Sequence, residues 1–237
     1  MFHPPQLSNW IQIVSTKLPR LARRQAVGLA TCSFGAMCAQ SVGMSHVSSF
    51  LSELLEEKEN TVRQRLRETV YDAADKRGEG RRELEVETYF APLLRWIVEM
   101  WRQPDQLLVV GLDATTLGSR FTVLSVSVLL QHTAIPVAWA ILPAGKPEKW
   151  RAHWERLLAL LSDTTDGLTV LVAADRGLYA KWLYEDIQRL GWHPLLRLRA
   201  QGNCTLLETR DQLPLAELAQ RVVGGWWQGR VRCFQDD

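Results

Sequence analysis

Two aspartates, Asp113 and Asp175, stand where chemistry is expected. Each closes an apolar run, Leu107-Leu108-Val109-Val110-Gly111-Leu112-Asp113 and Leu168-Thr169-Val170-Leu171-Val172-Ala173-Ala174-Asp175, and each is followed by a turn containing Gly. A short continuous apolar run of this kind reads as a strand buried on both faces, central in a sheet. A carboxylate at its last position then sits at the sheet rim, where open α/β sheets place their ligands. If the two strands are parallel neighbours, about 4.7–4.9 Å apart, both carboxylates reach one metal ion. Magnesium, a hard cation, needs only one or two carboxylates beside substrate phosphate. Two such ions about 3.5–4 Å apart serve phosphoryl transfer by activating the attacking oxygen and stabilising the leaving one. The plain alternative is that each Asp caps the turn after its strand.

The elements that would position this pair follow from the pattern around it. Residues 121–130 and 135–142 read as two further strands, too closely spaced for helical crossovers, so they form an antiparallel meander with the first. After the break at Pro143-Ala144-Gly145-Lys146-Pro147, residues 148–161 place Trp150, Trp154, Leu157, Leu158 and Leu161 on one helical face. The Asp175 strand comes next, then a helix over 178–190 stopped by Gly191, then a fifth strand over 193–199. The order is βββαβαβ, that of a ribonuclease-H-like mixed sheet, an α/β fold in which the first and fourth strands are parallel neighbours.

The preceding hundred residues are helical. Residues 18–25 start a helix with Pro19 in its first turn and a basic cluster of Arg20, Arg23 and Arg24, and 26–40 continue it with small residues. Ser45 to Phe50 cap another helix, with Val47, Phe50, Leu51, Leu54 and Leu55 at helical spacing. Residues 60–68 add Arg63, Arg65 and Arg67. Two short helices joined by a turn, the second rich in Arg, form a candidate helix-turn-helix for DNA. The alternative is a solvated face on which these arginines pair with Glu53, Glu56, Glu57, Glu59 and Glu68. Residues 72–87, dense in charge and holding Gly78 and Gly80, read as an exposed connection, and 89–103 as one more amphipathic helix. The expected domains are therefore a helical one over 1–104, an α/β core over 105–200 and a further segment over 201–237.

The chain has 237 residues, 46% hydrophobic and 23% charged, which marks it as globular. A net charge of +2 leaves any nucleic-acid surface to local clusters. Cys32, Cys38, Cys204 and Cys233 form no C-x-x-C pair, which argues against zinc and for reduced, buried thiols. The N-terminus lacks the basic and apolar regions of a signal peptide, and residues 26–39 fall short of the roughly 20 a bilayer needs. A cytoplasmic protein is expected.

Leu112-Asp113-Ala114-Thr115, then Ile135-Pro136-Val137-Ala138-Trp139, then Ala174-Asp175-Arg176-Gly177-Leu178-Tyr179 resemble the DDE transposases of bacterial insertion sequences, specifically the insertion-sequence-four-like group. Gly191-Trp192-His193-Pro194 leading into Leu195-Leu196-Arg197-Leu198-Arg199 is similar to that group too. The resemblance is strong over 107–199, rests on position and helical character alone over the N-terminal half, and implies that Asp113 and Asp175 are the first two members of a catalytic, metal-binding acidic triad. It further implies a divalent metal (Mg2+ or Mn2+), DNA partners in the form of element terminal inverted repeats and target DNA, and a homodimer at paired ends. Arg176 and Tyr179 would face phosphate or shape the pocket.

The chain departs from that group at the third carboxylate, a Glu within a Tyr-x-x-Arg-x-x-x-Glu signature on a late helix, after a β-rich insertion. No such pattern follows Asp175, and 201–237 resemble only the start of the insertion, so a C-terminally truncated frame is expected. Glu185 and Asp186 lie a helical turn or more too far along, and Glu208 and Glu217 fall in the insertion. Three functions compete: a transposase or transposase fragment, a non-catalytic DNA-binding product that inhibits transposition, and a phosphatase with Asp113 as nucleophile. Against the last, Thr115 stands where such enzymes want a second acid.

Overall fold

The computed structural model describes residues 4–76, 83–101, 106–144, 150–198, 202–220 and 227–234. The proposed boundary at Pro104, the glycines at 78, 80, 145, 224 and 225, the helix start at Glu148 and the strand end at Arg199 lie outside the described residues. The chain divides into two compact units, Met1–Met100 and Trp101–Asp237.

The first unit holds α1 (Pro5–Lys17), α2 (Arg23–Cys38), α3 (Met44–Leu55), α4 (Glu59–Val70) and α5 (Phe90–Met100). The helix expected to start near Leu18 starts instead at Arg23, with Pro19 and Arg20 in the turn after α1. The basic cluster is thus split between a turn and a helix start. Ser45 is not the cap of α3; Gly43 holds that place without a side chain to cap the first turn, and its own N–H donates to Ser41 Oγ at 3.1 Å. Val47 and Leu51 of α3 pack on Val62 and Leu66 of α4, with Cys32 and Ala36 of α2 against them. The small residues of α2 let its neighbours come close. A Cβ on Gly28 would lie 2.9 Å from Thr69 Oγ1, and one on Gly35 would lie 2.8 Å from Leu51 Cδ1. Trp10 of α1 bonds Ser33 Oγ at 2.9 Å and meets the Trp96 ring of α5 at 5.8 Å.

The second unit is a mixed α/β unit built on a five-stranded sheet of β1 (Leu107–Leu117), β2 (Phe121–Leu130), β3 (Thr133–Pro143), β4 (Thr169–Ala174) and β5 (His193–Leu196). Between them run α6 (Arg151–Ser162) and α7 (Lys181–Arg189). The strand order is β3-β2-β1-β4-β5. β2 lies antiparallel to both β1 and β3, whereas β4 is parallel to both β1 and β5. A second sheet of three short strands follows: β6 (Asn203–Leu206), β7 (Gln212–Pro214) and β8 (Val231–Arg232), with α8 (Leu215–Gln220) between the last two.

Alternation decides which side of the large sheet is core. Leu108, Val110 and Leu112 of β1, Leu124, Val126 and Val128 of β2, and Val170 and Val172 of β4 are all buried. α6 packs on β2 and β3, α7 on β5, and the two helices touch each other, so they cover one face. Trp154, Leu157, Leu158 and Leu161 of α6 and Leu183 and Ile187 of α7 supply the buried side chains of that layer. The intervening residues Val109, Gly111, Leu171 and Ala173 are only half-buried, and Leu195 is 57% exposed. The central strands are therefore buried on one face rather than on both. An apolar run records what both sides of a strand tolerate, not what covers them.

Candidate active site

β1 does not stop at Asp113. Thr115 and Thr116, β-branched and at ease in a strand, carry it to Leu117, where Gly118 at φ +61° turns the chain into β2. Asp113 instead marks the point where β1 changes neighbours. Parallel pairing with β4 ends at Leu112 opposite Ala174, while antiparallel pairing with β2 continues through Asp113 opposite Ser125. The chain leaves the sheet at Asp175, one residue past Ala174. The register brings the two aspartates to equivalent positions on neighbouring parallel strands, whose spacing is about 4.8 Å.

Both carboxylates also fall on the same face. Asp113 shares the parity of Gly111, Asp175 that of Ala173, and this is the side opposite α6 and α7. There they line a shallow concavity of about 500 Å³ with Ser127, Ala134, Leu195 and Arg197. Small residues floor it: a Cβ on Gly111 would come within 3.1 Å of Leu129 Cδ2. The Thr115 hydroxyl donates to Asp113 Oδ2, and the Gly177 N–H donates to Asp175 Oδ1 at 2.8 Å. The capping role open to Asp175 is thus real, since it closes the short 3-10 turn Arg176–Leu178. That bond uses one oxygen of the carboxylate, so capping does not exclude a ligand.

Two exposed carboxylates of this kind, in a concavity open to a phosphate, fit a hard divalent cation. When bound, such an ion lowers the charge barrier to attack at a phosphoryl centre. Among the described residues no three His, Cys, Asp or Glu side chains gather as a metal cluster. Glu185 lines a different concavity, and Glu208 and Glu217 are exposed in the segment of the small sheet. Asp186 is 5% exposed on α7 and is paired with Arg189.

Arg176 is exposed and does not line the acidic concavity. Tyr179 turns to the second unit's smaller sheet, where its hydroxyl donates to the Cys233 carbonyl at 3.3 Å and its ring stacks on Phe234 at 4.9 Å. Burial, with lesser effects of Cys233 and Cys204, pushes its hydroxyl pKa up. The cation at the acidic concavity is Arg197, held beside the Asp175 strand by its N–H bond to the Ala174 carbonyl at 3.0 Å. Alternation from Leu195 would have pointed to it.

In the helical unit Arg20, Arg23, Arg24 and Arg67 are exposed. Arg63 is ion-paired to Glu59 and Arg65 to Glu57. The solvated-face alternative therefore holds for two of the three arginines of α4. All four cysteines are free thiols; against the expectation that all four are buried, only Cys204 is, with Cys32 and Cys233 half-buried and Cys38 exposed. Among the described residues no helix is long and apolar enough to cross a membrane.

No family model matches the chain, and no curated protein matches it. Among solved structures, the Mos1 strand transfer complex is 13% identical, over 70% of this chain and 56% of that one, with a TM-score of 0.26. The Mos1 transposase paired-end complex with left transposon end is 13% identical over 70% and 57%, with a TM-score of 0.28. The Drosophila P element transposase strand transfer complex is 12% identical over 91% and 54%, with a TM-score of 0.34. The chain spans about half the length of the solved chains it matches. At identities and TM-scores this low, none of the three bears on the chemistry of this chain, which rests on its own strand register.

Proposed function

We propose that this chain is a transposase, or part of one, that acts on the ends of a bacterial insertion sequence in the cytoplasm by metal-dependent phosphoryl transfer. The observation that carries the reading is the register that sets Asp113 and Asp175 side by side, on one open face, where the parallel pairing of β1 and β4 ends. The strand order β3-β2-β1-β4-β5 supports a ribonuclease-H-like core over 105–200, and the helical unit supports a DNA-binding domain over 1–104. Asp113 and Asp175 are the metal ligands, Mg2+ or Mn2+ the ion, and Arg197 the group that faces substrate phosphate. A homodimer on paired DNA ends is the working assembly. Segment 201–237 belongs to a β-rich insertion.

The experiment is nicking of supercoiled plasmid DNA by the full chain with and without Mg2+ or Mn2+. Nicking that needs the metal and falls at least about 100-fold in both Asp113→Ala and Asp175→Ala supports the reading, as a loss of at least about 2.7 kcal/mol of transition-state stabilisation. Nicking unchanged in both variants overturns it.

A second reading, a non-catalytic DNA-binding product that inhibits transposition, is favoured by the division into two compact units, since the helical one has its own core. Tight DNA binding without nicking at any metal concentration, and equal in both variants, selects it.

A further inference from the structure

Of the three arginines of α4, Arg63 and Arg65 are ion-paired and Arg67 is exposed. α3 and α4 are joined by only Glu56, Glu57 and Lys58, and Glu56 takes the left-handed conformation at φ +53° that ends α3 sharply. Two helices on a three-residue turn, braced by a third, make the helix-turn-helix arrangement, in which the second helix of the pair enters the major groove. α4 turns Val62 and Leu66 inward, at 1% and 2% exposure. With 3.6 residues per turn, the stripe opposite comprises positions i, i+4, i+7 and i+8 from residue 60, namely Asn60, Gln64, Arg67 and Glu68. Arg63 and Arg65 occupy the flanks and are tied back, Arg63 to Glu59 and Ser48 and Arg65 to Glu57. The outward face therefore presents the exposed Asn60 and the half-buried Gln64 with its partner Glu68, and has exposed cations at either end, Lys58 before the helix and Arg67 in its last turns.

We propose that α4 is a sequence-reading helix whose Asn60 and Gln64 recognise adenine edges in the DNA major groove, while Arg67 holds the phosphate backbone. It rests on the DNA-binding reading above and adds to it the residues that choose the sequence. A carboxamide offers an acceptor and a donor side by side, the complement of adenine N6 and N7. Asn60 and Gln64 lie in the first two turns of α4, the part of a recognition helix that reaches base edges. Gln64 uses one amide hydrogen on Glu68 Oε1 at 3.0 Å, which fixes the plane of its amide and leaves its carbonyl to accept. Arg67 lies further along, where contact shifts to the backbone. The ion pairs neutralise Glu57 and Glu59 on the flanks of this stripe, and the Gln64 amide holds the carboxylate of Glu68, the acid on the stripe itself.

The test is selection from a pool of random-sequence duplexes by the full chain at physiological salt, with the retained DNA sequenced. The expected result is a motif with adenines. In it Asn60→Ala and Gln64→Ala each flatten one position, with discrimination there falling about 10-fold. Arg67→Ala weakens every sequence alike and lowers the salt slope by about 1. Asn60→Asp places an acid in the first turn, where the helix dipole favours it, so this variant keeps its fold. It should move the preference at its position from adenine to cytosine, since a carboxylate accepts from cytosine N4. If the variants retain the wild-type motif, or the chain retains duplexes without any motif, the inference is overturned and the proposed function stands. If the wild-type chain retains no duplex at all, both fall together.

Discussion

Asp186 carries its carboxylate almost out of reach of water, and burial raises its pKa above the ordinary 3.8. Arg189 and Arg151 pull the other way and Glu155 adds to the rise, but burial is the largest cause. A raised carboxylate pKa means that the folded state holds its proton more tightly than the unfolded chain. The stability this group contributes is then full below about pH 4 and is lost as pH rises through the folded-state pKa. Its partner Arg189 is 66% exposed, so losing the pair costs at most about 1 kcal/mol, because water takes its place. Asp186→Asn should therefore unfold at a higher temperature than the wild type at pH 7, and the gap should close as pH falls below about 4. Thermal unfolding across that range checks it. A variant less stable at pH 7 would mean that the Arg189 pair outweighs the burial. The sequence marked Asp186 only as a carboxylate near Asp175, because burial comes from the packing of α6 and α7, not from its neighbours in the chain. Asp113 and Asp175, by contrast, were legible as a pair because both close apolar runs. What stayed hidden is how each is held, through Thr115 on one side and Gly177 on the other.

The order of strands and helices in the α/β unit could be read from the sequence, since apolar runs this closely spaced leave no room for a helical crossover. Strand ends could not. Thr115 and Thr116 look like turn residues beside Gly118, but continued pairing with Val123 and Thr122 keeps them in β1. In the helical unit, the run of small residues in α2 foretold close packing without naming its partners. Gly35 is the sharpest instance: a Cβ there would lie 2.9 Å from both Leu51 Cγ and Val47 Cγ1, side chains at 0% and 3% exposure. Gly35→Ala gains about 1 kcal/mol in helix propensity. Overpacking of a filled core costs about 1–3 kcal/mol, and with two immobile neighbours on one methyl the upper half of that range applies. The expected net effect is a loss of about 1 kcal/mol in the stability of the helical unit, read as a lower midpoint in urea. A midpoint at or above that of the wild type would show that α3 can move aside.

At the scale of the whole molecule, the proposed function assigns DNA binding to one compact unit and phosphoryl transfer to the other. The chain's net charge is only +2, so attraction to DNA depends on particular cations rather than on a field spread over the surface. Exposed Arg20, Arg23, Lys58 and Arg67 lie in the helical unit, outside the acidic concavity. If these four meet phosphates, log Kobs should fall with log salt at a slope of about −4, at about −0.9 per contact. Because Asp113 and Asp175 belong to the other unit, Asp113→Ala and Asp175→Ala should leave that slope and the affinity within about twofold of wild type in the absence of metal, while Arg67→Ala alone lowers the slope by about 1. Fluorescence anisotropy on a labelled duplex over a range of salt reads both quantities. A slope that changes with either aspartate would place part of the duplex on the acidic face before any metal is present. Binding and chemistry would then share one surface instead of two.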